Sequence, residues 1–311
     1  MLGFTKKRTG PRRELFFFGQ RIYSYRRHQS DKEKADLVIE KKLSSNFKNA
    51  VLTSPQSIDS NPIVSLKSFG DRVDTVYLTI QSIFEQTLPA KKIILWLSQD
   101  EFSIKNLPRT LQECRKRGLD VRFCQDYRSY DKLIHTLEEY PNDDIITIDD
   151  DVLYPPDLLK ILTRASKQYP GCVLGTRGHR ITLDSNRKPL AYQHWDQCIT
   201  NTTPRFDTLL TGTGGIFYPT GTFSPAVLDS KLFMQLCPTG DDIWFKAHAM
   251  LNGRKSAIVA DNPTLSFLPA FIEGSQVDCL ANNNVISGND KQIRDTFEYY
   301  NLWDQLEEDT V

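Results

Sequence analysis

From Pro62 onward, short runs of apolar residues alternate with segments whose apolar residues recur at helical spacing, and this alternation leaves few folds open. Ile63–Leu66, Ile93–Leu97, Val121–Cys124 and Ile145–Ile148 are too short for buried helices, so each reads as a strand covered on both faces. Between them, Val73, Val76, Tyr77, Ile80, Ile83 and Phe84 mark one amphipathic helix. Leu107, Leu111 and Cys114 mark a second, ended by Gly118, and Leu133, Ile134 and Leu137 a third. Units of this length predict an α/β fold, Rossmann-like, with a mostly parallel central sheet flanked by helices.

The fourth run closes on Asp149-Asp150-Asp151. Three adjacent carboxylates repel one another, and a hard divalent ion such as Mg²⁺ or Mn²⁺ offsets that cost while binding phosphate oxygens. Open α/β sheets bind ligands outside the carboxyl ends of their strands, where this triplet falls. Taken alone it reads equally well as a solvated acidic turn before a helix that opens near Pro155-Pro156 and Asp157.

Beyond the triplet, the pattern predicts helices over 158–162, 225–236 and 241–253, strands at 172–174 and 257–260, and a short helix holding Phe297 and Tyr299. Residues 180–223 are polar and aromatic and contain Thr211-Gly212-Thr213-Gly214-Gly215, whose spacing matches no phosphate-binding glycine fingerprint. The chain of 311 residues, 39% hydrophobic, fills one large domain, read as 61–311, behind an extension and linker over 1–60. No apolar run approaches the roughly 20 residues of a membrane-spanning helix, and Leu15–Phe18 is too short to be the core of a signal peptide. The six cysteines show no zinc or CxxC spacing, which predicts ordinary thiols and disfavours zinc and thiol chemistry. Net charge is zero, but residues 1–30 carry eight Lys and Arg against Glu14 alone. That basic, aromatic arm suits an anionic membrane surface; it reads alternatively as a disordered tail or an added hairpin. Nothing in the pattern supports nucleic-acid binding.

The ordered set of motifs resembles family-2-like bacterial glycosyltransferases of the GT-A fold. Ile63–Leu66, with the helix ending Gln81-Ser82-Ile83-Phe84-Glu85-Gln86-Thr87, is similar to their start. Ile145–Asp151 looks like their DxD strand, and Gly240-Asp241-Asp242-Ile243-Trp244 like their Glu-Asp motif. Two departures stand out. Leu97-Ser98-Gln99-Asp100 lacks the usual acidic-glycine-serine turn, and Asp241 replaces the usual Glu.

The resemblance implies a metal-dependent, inverting transferase. It would move a sugar from a nucleotide donor, expected to be a UDP-sugar, to a polysaccharide, lipopolysaccharide or lipid-linked glycan. Such an enzyme would be cytoplasmic, peripheral to the inner membrane face. On this alignment Asp151 and Asp149 hold Mn²⁺ or Mg²⁺, and Asp149 and Asp150 belong to the donor site. Asp126, Lys132, Lys67 and Arg72 are donor candidates by their place after the strands, where Asp126 and Lys132 read equally as a solvated loop. Asp242 is the base, with Asp241 beside it on the acceptor. Asp242 also fits a T-x-x-D capping box with Thr239. Trp195, Trp244, Gly214 and Gly215 are acceptor candidates, although large aromatics more often fill cores and glycines more often make turns. A nucleotidyltransferase and a catalytically silent glycan- or membrane-binding protein are the competing functional readings.

Overall fold

The computed structural model describes residues 58–185, 188–259, 270–272 and 288–309, and the backbone of 4–9, 12–17 and 20–26. The linker up to residue 57, Cys279 and Asn282–Asn284 lie outside the described residues, as do the side chains of the basic arm. The arm's backbone forms β1 (Phe4–Thr9), β2 (Arg12–Phe17) and β3 (Gln20–Arg26), an antiparallel three-stranded sheet.

The main unit begins with β4 (Ile63–Lys67), a 3-10 turn at Gly70–Asp74, and α1 (Val76–Phe84). There follow β5 (Lys92–Ser98), α2 (Arg109–Lys116), β6 (Leu119–Cys124), α3 (Asp131–Glu139) and β7 (Ile145–Thr147). These are the strands and helices that the sequence pattern predicts. Gly118 ends the second unit at φ +106°, a conformation open to glycine at no steric cost. Next come β8 (Val152–Leu153), α4 (Leu158–Gln168), β9 (Val173–Gly175), β10 (Gly178–Arg180), β11 (Thr208–Leu210) and β12 (Ile216–Tyr218). The chain continues through α5 (Ser230–Leu236), α6 (Asp241–Leu251), β13 (Ser256–Ile258), β14 (Ala270–Phe271) and α7 (Asn289–Tyr299).

The central sheet has the order β13-β9-β12-β7-β4-β5-β6. Its pairings are parallel except those of β12, which runs antiparallel between β7 and β9. The chain is therefore an α/β protein with a mostly parallel, helix-flanked sheet. The insertion of β12 was not readable in advance: three apolar residues between Gly215 and Pro219 carry no periodicity.

Alternate residues of each strand feed opposite faces of the sheet. Val64, Leu66, Leu95 and Ile146 pack with Val76 and Ile80 of α1, Leu111 of α2 and Leu158 and Leu162 of α4. On the other face Ile145, Leu210, Ile216 and Tyr218 pack with Leu133 and Ile134 of α3, Phe233 of α5, and Trp244 and Phe245 of α6. Each such aliphatic side chain contributes about 1.5–3 kcal/mol when fully buried. The helix expected over 225–236 is broken into a 3-10 turn, Pro225–Leu228, and α5. Asp229 adopts φ −70°, ψ 87° and its carboxylate caps the Leu232 N–H at 3.0 Å, which restarts the helix. Among the described residues no helix is long and apolar enough to cross a membrane.

Candidate active site

The chain leaves β7 through Ile148, whose N–H still pairs with the Ser65 carbonyl of β4, and then turns at the three aspartates. The Asp149 N–H donates to the Tyr154 hydroxyl at 2.9 Å. Asp150 is anchored from three directions. Ser68 Oγ donates to Oδ2 at 2.6 Å, Arg72 Nη1 to Oδ1 at 2.8 Å, and Thr79 Oγ1 to its carbonyl at 2.9 Å. Burial raises the Asp150 pKa, and Arg72 opposes that rise. With its side chain 5% exposed and both carboxylate oxygens engaged, Asp150 holds the turn together, a structural role beside the donor contact expected of it. Arg72 also reaches Asp151 at 3.3 Å.

Neighbouring strand ends supply further cations. Lys67, closing β4, pairs with Asp126 and, at 2.7 Å, with the fully buried Asp131. Asp131 in turn accepts from the Tyr127 N–H and faces His135 Nε2 at 3.2 Å. Burial works against charge on His135, but Asp131 and Cys124 outweigh it and push its pKa up to about 11. Cys124, Asp131 and His135 bring three ligating atoms within 4.8 Å of one another. They nonetheless make a poor metal centre: Nε2 also faces the Gln125 carbonyl at 3.1 Å, which requires it to donate.

Lys132, in the first turn of α3, joins the two halves of the site. Its Nζ lies 3.0 Å from Asp149 Oδ1 and 3.1 Å from Asp241 Oδ2. Burial disfavours its charge, yet Asp149, Asp241 and Asp242 together keep it protonated. Asp242, beside Asp241 at the start of α6, accepts the Gly212 N–H at 3.0 Å through Oδ2. Its Oδ1 is out of solvent with no hydrogen-bond partner. Leu210, Ile216, Tyr218 and Phe245 wall a small cavity beside it. Burial and the neighbouring Asp241 raise its pKa, Lys132 lowers it, and it stands at about 7. A carboxyl balanced there can take up and release a proton near neutrality. The expected Thr239–Asp242 capping box does not form. Gly240 is the N-cap, without a side-chain cap, and Asp242 spends its carboxylate on Gly212.

The aromatic acceptor candidates are core residues. Trp244 is fully buried and donates to the Val227 carbonyl at 3.0 Å. Trp195 is 4% exposed, donates to the Leu190 carbonyl and packs against Tyr192. Neither ring has a face open to stack on a sugar. Gly214 and Gly215 have local reasons to be glycine. A Cβ on Gly214 would lie 2.7 Å from the Arg177 nitrogen, and Gly215 takes φ +79° to enter β12. Gly212 belongs to the site more directly, since a Cβ there would lie 2.8 Å from Lys132 Nζ and 2.9 Å from Asp149 Oδ1. Its glycine-rich run was the available signal. Asp131 and Phe69 were also missed. Phe69 is an exposed aromatic just beyond β4, with the Arg72 guanidinium 5.2 Å from its ring. His179 and His248 are buried and held neutral, burial pushing each pKa down to about 4.

Asp149 and Asp151 are the oxygen donors that a hard divalent cation would use here, and each already faces a cation, Lys132 or Arg72. Around Asp149 and Asp151, carboxylates outnumber the side-chain cations Lys67, Arg72 and Lys132. Among the described residues these aspartates do not bring three ligating atoms together.

No family model matches the chain, and neither does any curated protein. Among solved structures, the chain resembles the S. aureus TarS fragment 1–349 in complex with UDP (TM-score 0.44, 14% identity, 64% of this chain and 58% of that one). It also resembles a CMP:2-keto-3-deoxy-manno-octonic acid synthetase complexed with CTP (TM-score 0.38, 14% identity, 63% and 88%). The chain thus spans less than two thirds of the TarS structure.

Proposed function

We propose that this protein is a nucleotide-sugar-dependent glycosyltransferase that works with inversion. The observation that carries the reading is Lys132, whose ammonium joins Asp149 of the strand-end triplet to Asp241 of the distant helix start. Two acidic motifs, each ambiguous alone, thereby meet beside the carboxyl end of β7.

The division of labour follows from the electrostatics. Lys132 and Arg72 would offer positive charge to a diphosphate, and Asp126 and Lys67, paired with each other, are assigned to the ribose or base. Asp149 and Asp151 would hold Mn²⁺ or Mg²⁺, which supplies charge neutralisation for the departing nucleoside diphosphate. Asp242, ionised above about pH 7, accepts the proton of the attacking hydroxyl. Asp241 holds Lys132 against the base and keeps the two halves in register. The acceptor is a glycan hydroxyl, for which a polysaccharide, lipopolysaccharide or lipid-linked glycan is the expected source. Attachment of the arm to an anionic membrane would suit a lipid-linked one.

The test is thermal stabilisation by nucleoside diphosphates and nucleotide sugars, with and without Mn²⁺, followed by donor hydrolysis. Binding to the folded state raises the unfolding midpoint by mass action. A Mn²⁺-dependent shift with one nucleotide family, and slow release of that nucleotide from its sugar, is the expected result. Pyrophosphate release from a nucleoside triphosphate would favour the nucleotidyltransferase reading. No shift with any nucleotide would favour a silent binding protein.

A further inference from the structure

The base-bearing turn, Cys237–Asp242, is gripped by parts of the chain outside the strand ends. Tyr130 donates its hydroxyl to the Cys237 carbonyl, and Cys237 Sγ lies 3.0 Å from the Gly240 carbonyl. The third grip comes from α7. Gln292, buried at 5% exposure, accepts the Thr239 N–H through Oε1 at 2.8 Å and the Thr239 hydroxyl at 3.2 Å. Its Nε2 donates to Gly288 of its own helix at 3.2 Å, which fixes the amide's orientation. A Cβ on Gly240 would lie 3.3 Å from that nitrogen, so the amide packs directly on the N-cap of α6. One turn away, Asp290 Oδ1 accepts the Tyr192 N–H at 2.6 Å and ties the 180–207 excursion to the same helix. The contacts of α7 with α6 are completed by Ile293 and Phe297, which share an apolar cluster with Ile243, Ala247 and Met250.

We propose that Gln292 is a positioning residue for the base: by holding Thr239 and Gly240 it sets the first turn of α6, and with it where the Asp242 carboxylate points. The proposal rests on the reading of Asp242 as base. Nothing in the strand-end half of the site touches Gln292 among the described contacts. Its loss therefore acts more on turnover than on donor binding, which it reaches only through Asp241 and Lys132. A displacement of the carboxylate by a fraction of an ångström is enough to slow proton transfer, because reactivity depends steeply on near-attack geometry.

The experiment compares wild type with Gln292→Leu, Gln292→Glu and Gln292→Asn. The readouts are hydrolysis of a panel of UDP-, GDP- and CMP-sugars, binding of the matching nucleotide with Mn²⁺ by calorimetry, and the unfolding midpoint. Gln292→Leu should lower the hydrolysis rate about 10- to 100-fold while nucleotide affinity stays within about twofold of wild type. Gln292→Glu keeps an oxygen facing the Thr239 N–H but sets a second one against the Gly288 carbonyl, so it should recover only part of the rate. If Gln292→Leu does not fold, Gln292→Asn carries the same test, because it keeps the amide but stops one methylene short. An unchanged rate overturns the proposal. So does a parallel fall of rate, affinity and midpoint, which would mark a packing role only. Absence of hydrolysis by the wild-type protein overturns the transferase reading, and the inference falls with it.

Discussion

The strand-end half of the site and the helix-start half hold their carboxylates in opposite ways. At the strand ends, Asp126, Asp131, Asp150 and Asp151 lie against Lys67 or Arg72, and Asp149 against Lys132. Each of these carboxylates has a cation against it, although five carboxylates share three cations. At the start of α6, Asp242 accepts one backbone N–H, sits beside Asp241 with Lys132 near the pair, and borders a mostly apolar cavity that Lys246 and Ser256 also line. Charge there is only partly compensated, and the proton is held loosely. On the proposed function the contrast divides the labour: carboxylates paired with cations would hold the donor, and a desolvated carboxylate would move the proton.

The sharpest way to break this comparison is to neutralise the base alone. Asp242→Asn should reduce turnover about 100- to 10,000-fold and leave Mn²⁺-dependent nucleotide binding intact; equal loss of binding in calorimetry would merge the two halves. Stability separates the halves next. Trp244→Ala opens a cavity in the core under α6 and should cost about 3–5 kcal/mol in a denaturant titration, as a buried tryptophan does and a surface platform does not. On the other side, Asp151→Asn should weaken Mn²⁺-dependent nucleotide binding about 10- to 100-fold. Its thermal midpoint without metal should move little.

Titration sharpens the contrast further. Because burial raises Asp242 to about 7, hydrolysis should rise with pH through that value and level off above it. Lys132→Met removes the charge that lowers this pKa, so the midpoint of the profile should move upward. The linkage has the opposite sign for stability. A carboxyl whose folded pKa lies above its unfolded one favours the fold when protonated, and that share is lost as pH rises toward 7. The smallest expected effect joins the halves. Gly212→Ala places a methyl against both Lys132 and Asp149 and should cost about 1–3 kcal/mol. It should also lower binding and turnover together, unlike either single-half variant.

Much of this was legible in the chain itself. The four parallel strands β4 to β7 announce themselves as apolar runs, because a strand covered on both faces needs no polar alternation. The helices between them follow from 3.6-residue spacing, and the acidic triplet falls where a parallel sheet keeps its ligands. Trp195 and Trp244 could not be resolved in this way. An aromatic residue in a polar stretch, or on a helix just after two aspartates, carries no local mark of the direction it faces. Asp150 was indistinct for a related reason: within the triplet its carboxylate looks like its neighbours, and Ser68 and Arg72 draw it inward while Thr79 holds its backbone carbonyl.

Sequence alone determined the alternating α/β plan, the order of the motifs and the residue types able to do this chemistry, since local periodicity and chemical identity are written residue by residue. Tertiary structure decided the rest: that β12 inserts antiparallel beside β7, that Lys132 spans Asp149 and Asp241, and that Asp242 stands near neutrality. Each depends on groups distant in the chain meeting in a desolvated space, and the pairing energies and pKa values of such groups exist only once that space has formed.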